Sequence, residues 1–112
     1  MIHNMKLNEI PFEMIRSGAK TIELRLYDEK RRKIKVGDSI CFKSKTDKLT
    51  AIVKALHTFH NFEELYAALP LDKCGYTADE IATASPDDML EYYSKEQIER
   101  YGVVGIEIEV KK

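Results

Sequence analysis

The chain has 112 residues, 44% hydrophobic and 33% charged, with a net charge of −1. That length and composition suit one domain, residues 1–112, holding a single core without staples, and they exclude a disordered chain. No apolar run approaches the roughly 20 residues of a membrane helix, and Met1-Ile2-His3-Asn4-Met5-Lys6 lacks the basic-then-apolar order of a secretory signal.

Residues 1–7 read as a first strand, with Met5 and Leu7 on one face. A helix starts at Asn8 or Ile10. Pro11 suits its first turn, where the missing N–H has no partner, Phe12 and Ile15 share a face, and Gly18 ends it. Thr21 to Leu26 is a strand in which Ile22 and Leu24 point one way and Thr21, Glu23 and Arg25 the other. In a regular strand Lys20 falls on the Ile22 side; it joins Glu23 and Arg25 only if the Gly18-Ala19 turn rotates it. Residues 27–35 are polar and mostly basic, a loop or one helical turn. Val36-Gly37-Asp38 is a turn, Ser39 to Lys43 a strand with Ile40 and Phe42 inward, and 44–48 a hairpin-type loop. From Leu49 to Phe59 the alternation is partial. Ala51, Val53 and Ala55 oppose Thr50, Lys54 and Thr58, but Ile52 and Leu56 break the pattern, which leaves one long strand, straight or bent.

The pattern then changes. Asn61-x-x-Glu64, Thr77-x-x-Glu80, Ser85-x-x-Asp88 and Ser94-x-x-Gln97 resemble capping boxes and predict short helices near 61–69, 78–83, 86–93 and 95–101. Pro70 stops the first and Gly102 the last. Val103 to Val110 closes the chain as a strand, with Val104, Ile106, Ile108 and Val110 opposite Glu107 and Glu109. The order β-α-β-β-β, helical insert, β predicts an α+β fold, a small, mostly antiparallel β-barrel with a short helix after strand 1 and the insert covering one opening.

Several features carry little chemistry. His57 and His60 lie near a strand end and His3 is remote, whereas zinc wants three or four convergent ligands, so no metal is expected. Asp87, Asp88 and Glu91 look like an acidic first helical turn. There is no Gly-rich phosphate loop, no Gly-x-Ser-x-Gly elbow and no Cys–His signature, and no cofactor is expected. Cys41 and Cys74 form no Cys-x-x-Cys pair and are expected as free thiols in a reducing cytoplasm.

Others point to a polyanion. Residues 1–56 carry 13 Lys and Arg against 7 Asp and Glu, and residues 57–112 carry 5 against 12. Folded together, these halves either form a dipole that draws phosphate to its basic side or interleave and cancel. Lys30-Arg31-Arg32-Lys33, with Lys35, Lys43, Lys45 and Lys48, is either a solvated face or a phosphate track. Tyr92 and Tyr93 are about 100° apart on a helix, so one can fill the core while the other reaches out to stack on a base.

Gly18-x-Lys20-x-x-Glu23-x-Arg25, after a short helix and before the Val36-Gly37-Asp38 turn, resembles the ASCH (activating signal cointegrator homology) family. The likeness extends to the closing Tyr101-Gly102-Val103-Val104-Gly105-Ile106. It implies a PUA-like barrel, a cleft between barrel and helices lined by these residues, and a role in RNA binding or RNA-linked metabolism. One branch is similar but enzymatic, small bacterial amidohydrolases acting on N4-acetylcytidine. Lys20 and Arg25 match that branch, but a threonine taken as its nucleophile stands where this chain has Glu23, which counts against deacylation. By the same resemblance Glu63, Glu64 or Glu80 replaces the branch's second-helix carboxylate. Ribonuclease activity has also been proposed in the family. Ser94 and one tyrosine of the Tyr92–Tyr93 pair, assigned to Tyr93, lie where a partner to Lys20 would come from.

The first expectation is therefore a cytoplasmic monomer or weak dimer that binds RNA, or a nucleotide or nucleoside, in a cleft floored by Lys20, Glu23 and Arg25. Tyr93 and Ser94 stand beside the ligand, and Lys30, Arg31, Arg32 and Lys33 follow the RNA backbone. Lys20 meets phosphate or acts as a base. Glu23 accepts from an exocyclic amine or a ribose hydroxyl, and Arg25 fixes Glu23 or holds a phosphate. The alternative is a metal-independent hydrolase with Lys20 and Glu23 catalytic. A third reading is a protein-interaction module with a basic face.

Overall fold

A computed structural model describes residues 1–111. Strand β1 (Ile2–Lys6) leads into helix α1 (Glu9–Ser17), β2 (Ile22–Leu26), the single turn α2 (Glu29–Arg32), β3 (Ser39–Lys43) and the long β4 (Lys48–Phe59). The insert comprises α3 (Phe62–Ala68), a 3-10 turn (Leu71–Cys74), α4 (Ala78–Ile81), a 3-10 segment (Pro86–Glu91) and α5 (Lys95–Tyr101), and β5 (Val103–Val110) follows. The capping boxes at Thr77, Ser85 and Ser94 are all formed. The helix expected near 86–93 is instead the 3-10 segment Pro86–Glu91.

The five strands form one sheet in the order β1-β3-β4-β5-β2. Only β1 and β3 run parallel; the other pairs are antiparallel. Strands adjacent in the chain, β1 and β2, thus sit at opposite edges with α1 linking them. The sheet curls into a half-barrel that brings those edges together, and the Arg25 guanidinium of β2 donates to the Lys6 carbonyl of β1 at 3.0 Å.

Apolar residues fill both faces. Inside the curl, Phe12 and Ile15 of α1 pack on Phe42, Val53, Val104 and Ile106. On the outer face, Ile22, Leu24 and Leu26 of β2 pack with Phe62, Leu65 and Met89 of the insert. Burying each of these large side chains contributes about 1.5–3 kcal/mol. The insert therefore packs on the outer face of the sheet, and its Tyr76, Asp88 and Tyr93 also wall the cleft over Glu23 and Arg25. It goes there because Val103, Ile22, Leu24 and Leu26 make that face apolar.

Register explains the broken alternation of β4. A bulge shifts the pairing between Val53 and Ala55. Before it Val53 pairs with Ile108; after it Leu56 pairs with Ile106 and Phe59 with Val103. The extra residue inverts the alternation, so Leu56 joins the inner core, Phe59 the outer one, and Ala55 does not share the Ala51–Val53 face.

Candidate functional site

The site begins where α1 ends. Gly18 takes a left-handed φ of 87°, and its N–H donates to the Ile15 carbonyl. The Lys20 N–H donates to the Met14 carbonyl at 3.0 Å. These bonds satisfy carbonyls at the helix end and turn the chain sharply. β2 starts only at Ile22, so strand alternation does not constrain Lys20. Its ammonium swings to the inner side of β2 and meets Glu23 Oε1 at 2.6 Å. Arg25 closes the other side, with Nε 2.9 Å and Nη2 2.7 Å from Glu23 Oε2. Glu23 and Arg25 pair with Ile106 and Val104 of β5 and share their face. The three groups that the sequence places within six residues therefore converge. Gly75 makes room for them. With a φ of 105°, it would place an added β-carbon 3.3 Å from Lys20 Cδ.

Glu23 is only 4% exposed. Burial pushes its carboxyl up, but the charges and hydrogen bonds of Lys20 and Arg25 outweigh that and hold it below the ordinary 4.5. Two cations on one carboxylate leave a net positive charge at the floor. Each Glu23 oxygen is already engaged, so a ligand reaching it must displace Lys20 or Arg25. Glu23 in this arrangement positions the two cations. The Cys74 thiol, buried beside Lys20, is pushed up to about 11 by burial and is inert as a thiolate near neutrality.

These residues floor a cleft of about 860 Å³, within the roughly 300–1,000 Å³ typical of small-molecule sites. Its walls differ in charge. Lys6, Lys43 and Lys45 line the sheet side, and Glu80, Asp88, Glu91, Tyr76, Tyr92 and Tyr93 the insert side. The uneven charge of the two halves of the chain becomes a polarity across this one cleft. Tyr93 is half-buried and stacked on Phe62, ring centroids 6.3 Å apart and planes 12° apart, while Tyr92 is exposed. Tyr66 donates to Tyr76 Oη at 2.6 Å, and Tyr76 donates to Asp88 Oδ2 at 2.8 Å. Burial, with these two bonds, raises the Tyr76 hydroxyl well above its usual value.

Of the expected site residues, Lys20, Glu23, Arg25 and Tyr93 line this cleft and Ser94 does not. The Ser94 hydroxyl accepts from the Gln97 N–H at 3.1 Å and caps α5. Lys30, Arg31, Arg32 and Lys33 lie at α2, also outside the cleft. Arg31 pairs with Asp28 at 3.0 Å. Arg32 lies 4.3 Å over the Tyr27 ring and donates to the Tyr101 carbonyl at 2.9 Å. Of the three carboxylates weighed in the insert, Glu80 lines the cleft, whereas Glu63 and Glu64 border a separate groove. Tyr76 and the hydrogen-bonding role of Asp88 had no sequence signal beyond the Ser85-x-x-Asp88 box, because loop packing alone brings Tyr76 to Asp88. His57 bonds Glu107 at 3.2 Å and His60 bonds Glu64 at 3.4 Å. Among the described residues no group of three or more His, Cys, Asp or Glu is placed to hold a metal.

A family model described as ASCH domain matches residues 5–112. The chain belongs to the ASCH domain family. Among solved structures, this ASCH domain is similar to the crystal structure of hypothetical protein PH0355, with 37% identity and a TM-score of 0.84 over 99% of this chain and 100% of that one. It is also similar to the solution structure of protein PF0455 from Pyrococcus furiosus, with 36% identity and a TM-score of 0.74 over 100% and 99%. A tyrosine-to-phenylalanine mutant of ZmASCH from Zymomonas mobilis shares the fold at 12% identity and a TM-score of 0.67, over 96% of this chain and 68% of that one. Among curated proteins none matches. The ASCH family is commonly RNA-related, and among the described residues no helix is long and apolar enough to cross a membrane.

Proposed function

We propose that this ASCH domain binds RNA, or a nucleotide or nucleoside derived from it, in the cleft floored by Lys20, Glu23 and Arg25. The observation that carries the reading is the buried Glu23 carboxylate clasped by two cations, which leaves a net positive, preorganised floor in a cleft of nucleotide size. Lys20 and Arg25 offer their remaining N–H donors to a phosphate or a base carbonyl. Glu23 holds them and accepts an exocyclic amine only by exchanging a partner. Tyr92, free on the opposite wall, stacks on the base, and Tyr93 backs the site from its Phe62 stack. Titration of uridine monophosphate and of a short single-stranded RNA at two salt concentrations tests this. Binding at low salt that falls in Lys20→Ala and is kept in Lys20→Arg supports it. Absence of binding, or binding indifferent to Lys20→Ala in a protein that still melts cooperatively, removes it.

A second reading is a hydrolase cutting a nucleoside amide or a phosphodiester, with Lys20 as the base. What favours it is the hydrogen-bonded Tyr66–Tyr76–Asp88 chain, of which Tyr76 and Asp88 line the same cleft as Lys20. The Lys20–Glu23 ion pair works against it, since a base must first lose the proton that Glu23 holds. Incubation with acetylated cytidine and with bulk RNA, followed by chromatography, separates cutting from binding.

A further inference from the structure

Three lysines stand side by side across three strands at the end of the sheet bordering the cleft. Lys6 of β1 is in register with Lys43 of β3, and Lys43 with Lys48 of β4. Directly opposed residues share a face, with β-carbons about 4.5–5.5 Å apart, and like charges in that relation destabilise a sheet. Lys45 follows in the turn between β3 and β4. All four lysines are exposed. Among the described residues no carboxylate lies within ion-pair distance of any of the four. The carboxylate of that turn, Asp47, is already committed to the Arg16 guanidinium and, at 2.8 Å, to the Lys48 N–H. Among the described residues the row thus has no ion-pair partner.

The row adjoins the site. Lys6, Lys43 and Lys45 line the same cleft as Lys20 and Arg25, and Arg25 donates to the Lys6 carbonyl. Lysines thus border the cleft whose buried floor holds Lys20 and Arg25. The basic run at α2 differs, because Arg31 and Arg32 are held there by Asp28, Tyr27 and the Tyr101 carbonyl.

We infer that the Lys6–Lys43–Lys48 row, extended by Lys45, is the track for the phosphate backbone of a single RNA strand, one of whose nucleotides enters the cleft. This rests on the nucleotide-binding reading of the cleft and adds the path of the rest of the strand. Strand spacing puts the outer two lysines of the row roughly 10 Å apart, so the row spans more than one phosphate. A flat anionic bilayer fits poorly, since it would meet Glu80, Asp88 and Glu91 of the facing wall together with the row, whereas a single strand follows the lysines alone.

Lys48→Glu tests the track, because Lys48 does not line the cleft. It removes one positive charge and neutralises Lys43 across the strands. The probes are a twelve-nucleotide oligouridylate, uridine monophosphate and phosphatidylserine vesicles. The expected result is that the slope of log affinity against log salt for the oligonucleotide falls by about 1.4, at about 0.7 for each phosphate no longer neutralised. Uridine monophosphate binding stays the same, and the melting temperature holds or rises as repulsion becomes attraction. Lys30→Glu at α2 leaves both ligands unaffected. An unchanged oligonucleotide slope in Lys48→Glu, with uridine monophosphate still bound, overturns the track and spares the cleft. Failure of the unmodified protein to bind either ligand overturns both. Tighter binding to vesicles than to oligonucleotide overturns the track in favour of a membrane surface.

Discussion

The two faces of β2 are both buried, and by opposite means. On the outer face Ile22, Leu24 and Leu26 lie under the helical insert, held by apolar packing that works at any pH. On the inner face Glu23 and Arg25 sit beside the inner core, held by charges that must be matched. One five-residue strand thus carries the fold on one side and the candidate chemistry on the other. Apolar burial tolerates trimming in proportion to the area lost, whereas a buried ionic cluster fails abruptly when one member is removed.

That contrast can be broken or sharpened by substitution. The largest effect is expected for Glu23→Ala, which leaves two cations facing each other without a counter-charge, at a cost of about 3–5 kcal/mol. Urea unfolding measures it, and a loss below about 1 kcal/mol would mean that water already screens the cluster. The same variant should change the pH profile. Because the folded-state pKa of Glu23 is lowered, its contribution is present above the ordinary 4.5 and is lost as pH falls through the folded value. Unfolding at a series of acid pH values should therefore show a steeper loss in the parent protein than in Glu23→Ala. Leu26→Ala, on the outer face, is expected to cost about 2–5 kcal/mol while keeping the parent's acid profile and nucleotide binding. If it altered either, the two faces would not be independent. Gly75→Ala should cost about 1–3 kcal/mol through its left-handed backbone, and it should weaken binding more than stability because the new methyl displaces Lys20. Calorimetric titration beside thermal melting separates the two effects.

Much of this frame is legible in the residues. The alternation of Ile22, Glu23, Leu24 and Arg25 assigns the two faces of β2, Gly18 stops α1, and three Ser or Thr caps start the insert's later helical turns where expected. Elsewhere the local pattern runs out. Whether Lys20 rotates depends on the turn after α1 and on a glycine 55 positions away. The bulge in β4 leaves only a broken alternation as its trace, and the pairing partner decides which residue is extra. The basic run at α2 is another such case. Composition leaves it either a solvated face or a phosphate track, and only the structure shows Asp28 and Tyr27, just before it in the chain, engaging Arg31 and Arg32. The lysine row needs strand register to be seen at all, since its members lie at 6, 43 and 48.

Arg25 also stitches a seam. Its guanidinium holds Glu23 and reaches the carbonyl at the end of β1, the far margin of an otherwise unzipped sheet. A guest that draws the guanidinium toward itself loosens that stitch. Amide hydrogen exchange along the first strand should then register what occupies the hollow at its end.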